Sequence, residues 1–413
     1  MNRSVVGRLT WLLFFGRSLS SAAFIAGATI GSILGAELSG RPALAGVPGA
    51  LYLLGSAMAA YPAARLMERT GRRAGLSLGF VIGLIGALIA GASVLAHSFA
   101  GFLVGFTLVG ASQGFNDLGR YAAAEMHPVA ERGRAISLVV LGGTVGAILG
   151  PNLVGPMGRL AASFDADPLA GPWFAGAALL AVGALLMALF LRPDPSDLGR
   201  ALESQNDEQD ASTGPVRPAG EILSQPGTQL AIAAMAFGQV VMVMIMAITS
   251  LHMKGHGHSL DDVGVVIMSH AVGMFGLSVV AGRLADNFGR APTIIVGGGL
   301  LIAACLLAPL SQNTYLLSAA LFLLGLGWNF CYVAGGALLT DALTLAERGR
   351  MQGGNDLLVG LISAAGNLGS GVVFAGFGYT IMAWISLGVT LIPIVMAFSF
   401  LVSRGRLQTV KSQ

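Results

Sequence analysis

Residues 282–290 read GRLADNFGR, and residues 64–72 read ARLMERTGR. Both stretches have an acidic residue at the fifth position and end in Gly-Arg. A second pair of segments matches letter for letter, because AERGR occurs at residues 130–134 and again at 346–350. Matching segments at corresponding places predict that the second half of the chain repeats the first half in the same orientation.

The composition indicates that lipid surrounds much of the chain. Of 413 residues, 54% are hydrophobic and 10% are charged, whereas soluble domains have about 25% charged residues. A span needs roughly 20 apolar residues, and backbone groups in lipid must bond within their own helix. We therefore predict an all-α membrane protein with twelve transmembrane helices in two parallel six-helix repeats. The predicted helices cover residues 9–36, 45–64, 74–96, 99–124, 134–157, 171–191, 228–252, 260–282, 291–310, 314–340, 353–374 and 379–402.

The polar stretch 192–227 predicts a flexible linker between bundles at residues 1–191 and 228–413. Basic residues set the orientation. With the N-terminus in the cytoplasm, eighteen Lys and Arg fall in inside segments and three in outside loops, a strong positive-inside bias. This predicts a multi-pass protein of a bacterial inner membrane with both termini cytoplasmic.

The loops at 64–72 and 282–290 resemble the signature loop of the major facilitator superfamily, with Ala64 and Glu68 where that loop has Gly and Asp. The resemblance implies two halves that rock around a central cavity, with these loops as a latch that closes the cytoplasmic side. Glu68 would meet the start of span eleven near Gly353, and Asp286 the start of span five near Arg134. The latch residues would be Arg65, Glu68, Gly71, Arg72, Gly282, Arg283, Asp286, Gly289 and Arg290.

Span five carries Gly146, Gly150 and Pro151, which look like the core of a motif of drug-type exporters in this superfamily. Ser137 and Val154 depart from that motif. On motifs, the chain is most similar to twelve-helix drug/proton antiporters, and ordinary small-residue helix packing is the alternative interpretation.

Two opposite charges lie at matching depths, Arg17 in span one and Asp117 in span four. Charges inside a membrane mark a pathway or a pair. We interpret them as a proton-coupling pair, with a structural salt bridge as the alternative. Helices one, four, seven and ten line the family's cavity, and His270 of span eight is a further candidate. The substrate-cavity residues would be Asn116, Gln239, Met242, Met246, His270, Trp328, Asn329 and Tyr332.

The outer end of span seven is rich in methionine and is followed by His252, His256 and His258. Imidazole and thioether groups could bind a soft metal, but a pliable cavity wall is the favoured interpretation. We predict neither a metal site nor a cofactor.

These observations predict a secondary active transporter, not an enzyme, since no nucleophile–base or metal constellation is present. It would work by alternating access, in proton-coupled efflux of amphipathic organic compounds. An importer, a metal-complex transporter and a non-transporting sensor remain alternatives. The expected partners are the lipid bilayer, a small-molecule substrate and protons. The net charge of +3 does not suggest nucleic acid, and we expect a monomer.

Overall fold

The computed structural model describes residues 3–203, 217–310 and 312–411, and all regular secondary structure in these ranges is helical. Residues 204–216 of the predicted linker lie outside the described residues. The α-helices are α1 (Arg3–Ser39), α2 (Val47–Thr70), α3 (Arg72–Leu95), α4 (Phe99–Asn116), α5 (Gly119–Glu125), α6 (Val129–Asn152), α7 (Val154–Ala162), α8 (Gly171–Phe190), α9 (Pro195–Glu203), α10 (Ala219–Leu223), α11 (Pro226–Gly255), α12 (Leu260–Phe275), α13 (Ser278–Phe288), α14 (Arg290–Leu307), α15 (Thr314–Asp341) and α16 (Leu345–Lys411).

Ten helical stretches in the described ranges are long and apolar enough to cross a membrane. One of them, Arg350–Ser403, covers the two predicted spans 353–374 and 379–402. The chain bends there at Gly378, whose φ of 76° lies outside the helical region. Glycine adopts this conformation without steric cost, so one residue is enough to separate the two spans.

The predicted span 99–124 is interrupted. Helix α4 ends at Asn116 and α5 begins at Gly119, and the backbone N–H of Leu118 bonds the Phe115 carbonyl at 3.2 Å. A tighter turn inside a helix often marks a functional hinge. This interruption falls at Asp117.

The chain divides into two compact units. Unit 1 comprises Met1–Asp210 and Gly257–Met268, and unit 2 comprises Ala211–His256 and Ser269–Gln413. In unit 1, α1 packs on α6 and α8, and α3 packs on α4; in unit 2, α11 packs on α15 and α16, and α14 packs on α15. The predicted bundle boundaries stay a prediction.

Each unit contains helix pairs in backbone contact. A Cβ on Gly86 of α3 would lie 2.7 Å from the Gly105 carbonyl oxygen of α4. In unit 2, a Cβ on Gly327 of α15 would lie 2.7 Å from the Gly297 carbonyl oxygen of α14. Glycine lets membrane helices approach this closely, and the van der Waals contact replaces the hydrophobic drive that lipid removes.

Candidate functional site

Arg17 and Asp117 meet inside unit 1. Arg17 Nη1 lies 2.6 Å from Asp117 Oδ1, with the two side chains 22% and 40% exposed. Gln113, one turn earlier on α4, donates from Nε2 to the same carboxylate oxygen at 2.8 Å. Gly143 of α6 leaves room for the guanidinium, since a Cβ there would lie 3.0 Å from Arg17 Nε. The depth match in the sequence therefore corresponds to an ion pair beside the interruption of the fourth span.

A second polar contact joins the same helices. Asn116 is 5% exposed and donates from Nδ2 to the hydroxyls of Ser20 at 3.2 Å and Ser112 at 3.1 Å. Buried amides need such partners because an unpaired polar group in an apolar setting is costly. Asn116 holds α4 against α1 next to the ion pair, and its role in a substrate cavity stays a prediction.

The loop at 64–72 turns at Gly71, whose φ is 90°. The Asp194 carboxylate accepts the backbone N–H groups of Arg72 and Arg73 at 3.0 Å each, which caps the start of α3. The Arg72 guanidinium also forms an ion pair with Glu125 of α5. Neither acidic partner was predicted from the sequence, because both lie more than 50 residues from the loop.

Burial alone would raise the pKa of Asp194, but hydrogen bonds from Ser196, Arg73 and Arg72 together lower it below its ordinary value of 3.8. The carboxylate form is therefore the one that caps α3. Positive helix N-termini favour such an anion.

The loop at 282–290 has the same turn in unit 2. Gly289 has a φ of 97°, and Arg290 pairs with Asp286 and with Asp341 at the end of α15. The two copies thus share a glycine turn and an arginine held by carboxylates of their own unit. The contacts predicted for Glu68 and Asp286 with the other half of the chain stay predictions.

The glycines of the exporter-like motif pack on α1. Cβ atoms built on Gly146 and Gly150 would lie 2.2 Å from the Ser18 carbonyl oxygen and 2.7 Å from that of Ala22. The Pro151 carbonyl oxygen would lie 2.6 Å from a Cβ on Gly264. These three motif residues therefore sit where helices touch through their backbones, as ordinary small-residue packing also requires.

Further along, Arg159 of α7 forms an ion pair with Asp261 at the start of α12. Both residues belong to unit 1. Gly155 faces the same carboxylate, because a Cβ there would overlap Asp261 Oδ1. Both side chains are more than half exposed, and an exposed pair of this kind contributes about 0–1 kcal/mol.

In unit 2, three of the predicted cavity residues form one cluster. Trp328 Nε1 donates to Gln239 Oε1 at 2.6 Å. The rings of Trp328 and Tyr332 stack with centroids 4.9 Å apart and an interplanar angle of 22°, and Phe275 meets the indole edge-on. Gln239, Trp328 and Tyr332 are all partly exposed, so they can reach a ligand.

Other predicted cavity residues of unit 2 are less accessible. Asn329 is 3% exposed and donates to the Met274 carbonyl at 2.6 Å and to Ser278 Oγ at 2.8 Å, across the interruption between α12 and α13. His270 is 1% exposed and bonds the Leu321 carbonyl through Nδ1 at 2.9 Å. Met242 is 6% exposed, and Met246 is partly exposed. Asn329 and His270 attach α12 to α15.

Two of the three histidines at the outer end of span seven, His252 and His256, make aromatic contacts. The His252 ring stacks on Tyr379 with centroids 4.2 Å apart, and His256 lies 4.3 Å from His252. Tyr379 shares a hydrogen bond of 2.9 Å with Thr249. In the part of the chain that the structure describes, no three His, Cys, Asp or Glu residues come together as a metal site.

Comparison with known proteins identifies the family. The model described as Major Facilitator Superfamily matches residues 10–259 and 230–413. The chain belongs to the major facilitator superfamily. It is 36% identical over 408 residues to the uncharacterized MFS-type transporter YdeG of Bacillus subtilis (strain 168), covering 98% of this chain and 94% of that one.

One further relative and one solved structure are similar to this transporter. The riboflavin transporter RfnT of Brucella anthropi is 32% identical over 379 residues, covering 89% of this chain and 90% of that one. The crystal structure of a bacterial homolog of the human lysosomal transporter Spinster matches with a TM-score of 0.70 and 17% identity, covering 99% of both chains. The all-α superfamily fold and the multi-pass membrane character are thereby confirmed. The family is one of transporters, as predicted, and not of enzymes.

Proposed function

We propose that this transporter exchanges small organic solutes for protons and that Asp117 and Arg17 form its coupling site. The family provides secondary transport of a small molecule across the membrane. The observation that supports coupling is the partly exposed Arg17–Asp117 pair at the interruption of the fourth span. Charged residues at membrane depth are costly, and by default they mark a functional path.

The chemistry of the pair supplies a switch. A proton on Asp117 neutralises the carboxylate and removes its attraction for the Arg17 guanidinium. The Gln113 amide can stay hydrogen-bonded to the neutral carboxyl group, because an amide can both donate and accept a hydrogen bond. Loss of the proton restores the ion pair. Binding of a cationic solute that competes with Arg17 for the carboxylate is linked in this way to proton release.

We propose export of amphipathic organic compounds, on the strength of the motif at Gly146, Gly150 and Pro151. Import is the alternative direction, and the assay below decides between them. Riboflavin is the first compound to test, because a relative with 32% identity is named a riboflavin transporter. The basic residues support the predicted orientation in a bacterial inner membrane, with both termini in the cytoplasm.

The test uses purified protein in proteoliposomes with an imposed pH gradient, in both orientations, and a panel of riboflavin and amphipathic amines. We expect Asp117→Asn to abolish accumulation driven by the gradient while solute counterflow continues. Asp165→Asn is the matched control, because Asp165 is exposed in the loop after α7. Uphill transport by Asp117→Asn in response to a pH gradient would make the pair structural.

A further inference from the structure

Trp328, Tyr332 and Gln239 form an aromatic and amide surface on α11 and α15 of unit 2. Residues 328 and 332 are four apart, so their rings share one helix face, and they stack at 4.9 Å and 22°. The hydrogen bond from Trp328 to Gln239 fixes the indole relative to α11. A flat ring can stack on such a surface without first ordering it, which lowers the entropy cost of binding.

The same hydrogen bond fixes the orientation of the Gln239 amide. An indole N–H can only donate, so the atom of Gln239 that meets it is the carbonyl oxygen. The two hydrogens on the amide nitrogen are not used by Trp328. They are suited to an acceptor on a ligand, such as a ring carbonyl or a ring nitrogen.

The two helices that carry this surface also disfavour a charged ligand. Residues 226–253 of α11 and 314–340 of α15 contain no Asp, Glu, Lys or Arg. A charged group placed here would find no counter-ion on these two stretches, and losing water without a counter-ion is costly. A neutral aromatic ring loses little hydration free energy and gains stacking contacts with Trp328 and Tyr332.

We propose that Trp328, Tyr332 and Gln239 bind the neutral planar ring of an aromatic heterocycle, with a ring acceptor bonded to the Gln239 amide. This inference rests on the proposed function, since it names the class of solute that the transporter carries. Stacking between a base and an aromatic side chain is worth about 1–3 kcal/mol by truncation, which corresponds to roughly five- to hundredfold in affinity.

The test is equilibrium binding of lumiflavin, a neutral planar heterocycle with ring carbonyls, to the purified protein in nanodiscs. Binding is followed by quenching of flavin fluorescence, without any gradient. We expect saturable binding that Trp328→Ala weakens at least fivefold. Gln239→Leu should weaken it by about two- to tenfold, as expected for one hydrogen bond. Methyl glucoside, which has no aromatic ring, should not compete.

Trp384→Ala is the matched control, because Trp384 lies in the same unit and is 59% exposed on α16; it should bind lumiflavin as the wild type does. Tyr332→Leu, which keeps side-chain bulk, carries the test if Trp328→Ala does not fold. Absence of saturable binding to the wild type, or equal binding by the Trp328 and Trp384 variants, would overturn the proposal. Because no gradient is applied, failure of proton coupling in the transport assay leaves this result unaffected.

Discussion

Two glycines show how much depends on single residues in this protein. Gly71 and Gly289 occupy corresponding turns and have φ values of 90° and 97°. Their surroundings differ. A Cβ on Gly71 would meet Asp194 Oδ2 at 2.4 Å, whereas a Cβ on Gly289 would find only Pro292 Cδ at 3.6 Å. Substituting each of these two glycines therefore separates the cost of backbone strain, which both share, from the cost of side-chain overlap, which only Gly71 has.

We expect Gly71→Ala to be more destabilising than Gly289→Ala. Both variants bear the cost of an alanine at a φ of 90° or 97° and a ψ near 160°, a region used almost only by glycine, which is about 1–3 kcal/mol. Only Gly71→Ala also displaces the carboxylate that caps α3. The measurement is the thermal unfolding midpoint in detergent, followed by circular dichroism. Equal shifts in the two variants would mean that the Asp194 contact contributes nothing at this turn.

Among elements, α3 depends on a residue outside the predicted spans. Asp194 comes from the start of the segment predicted as linker, yet it accepts both first N–H groups of α3. The following helix α9 packs on α5. At the other end of this segment, Arg217 forms a salt bridge with Glu347, whose side chain is 0% exposed. The described ends of the segment therefore stabilise the units that they join.

Asp194→Asn should destabilise the protein at neutral pH by about 0.5–2 kcal/mol, the usual cost of losing a cap. The folded pKa of Asp194 lies below 3.8, so the carboxylate stabilises the fold above that pH. This contribution is lost as the pH falls through the folded pKa. The difference in unfolding midpoint between wild type and variant should therefore be constant from pH 7 to about pH 5 and shrink towards pH 3.

Asp197→Asn is the control for this pH series. Asp197 lies on the short helix α9, which begins at the residue after Asp194. It pairs with Arg200, and both side chains are more than 60% exposed. An exposed ion pair contributes little to stability. The unfolding midpoint of Asp197→Asn should therefore follow that of the wild type at each pH. A difference in unfolding midpoint between the wild type and Asp194→Asn that grows on acidification would contradict the capping role.

For the whole molecule, the predicted latch links the two loops to the transport cycle. Asp286 is 69% exposed and pairs with Arg290, which also contacts Asp341. These bonds lie within unit 2, so they account for the local shape of the loop. The proposed latch requires, in addition, that the carboxylate at position 286 favours one arrangement of the halves.

Asp286→Asn should raise labelling of a Met246→Cys reporter by an impermeant maleimide added from the predicted cytoplasmic side. A charge at a helix end contributes about 0.3–1 kcal/mol, so the rise should be about two- to fivefold. Cys305 and Cys331 are buried and are replaced by serine in the reporter background. Asp341→Asn removes only the Arg290–Asp341 salt bridge and keeps the carboxylate at position 286, so it should leave labelling unchanged. Equal labelling of all three proteins would contradict the latch.

The sequence by itself determined the helical membrane fold, because apolar segment length and the need to pair backbone groups in lipid follow from the chain and its solvent. It also predicted that Arg17 and Asp117 share a depth, since helices rise by a fixed distance per residue. Only the tertiary structure decided which groups meet. Gln113 joins Asp117, Asn329 is buried at a helix interruption, and Asp194 caps α3. Helical periodicity gives a residue its height and face, but packing of distant segments chooses its partners.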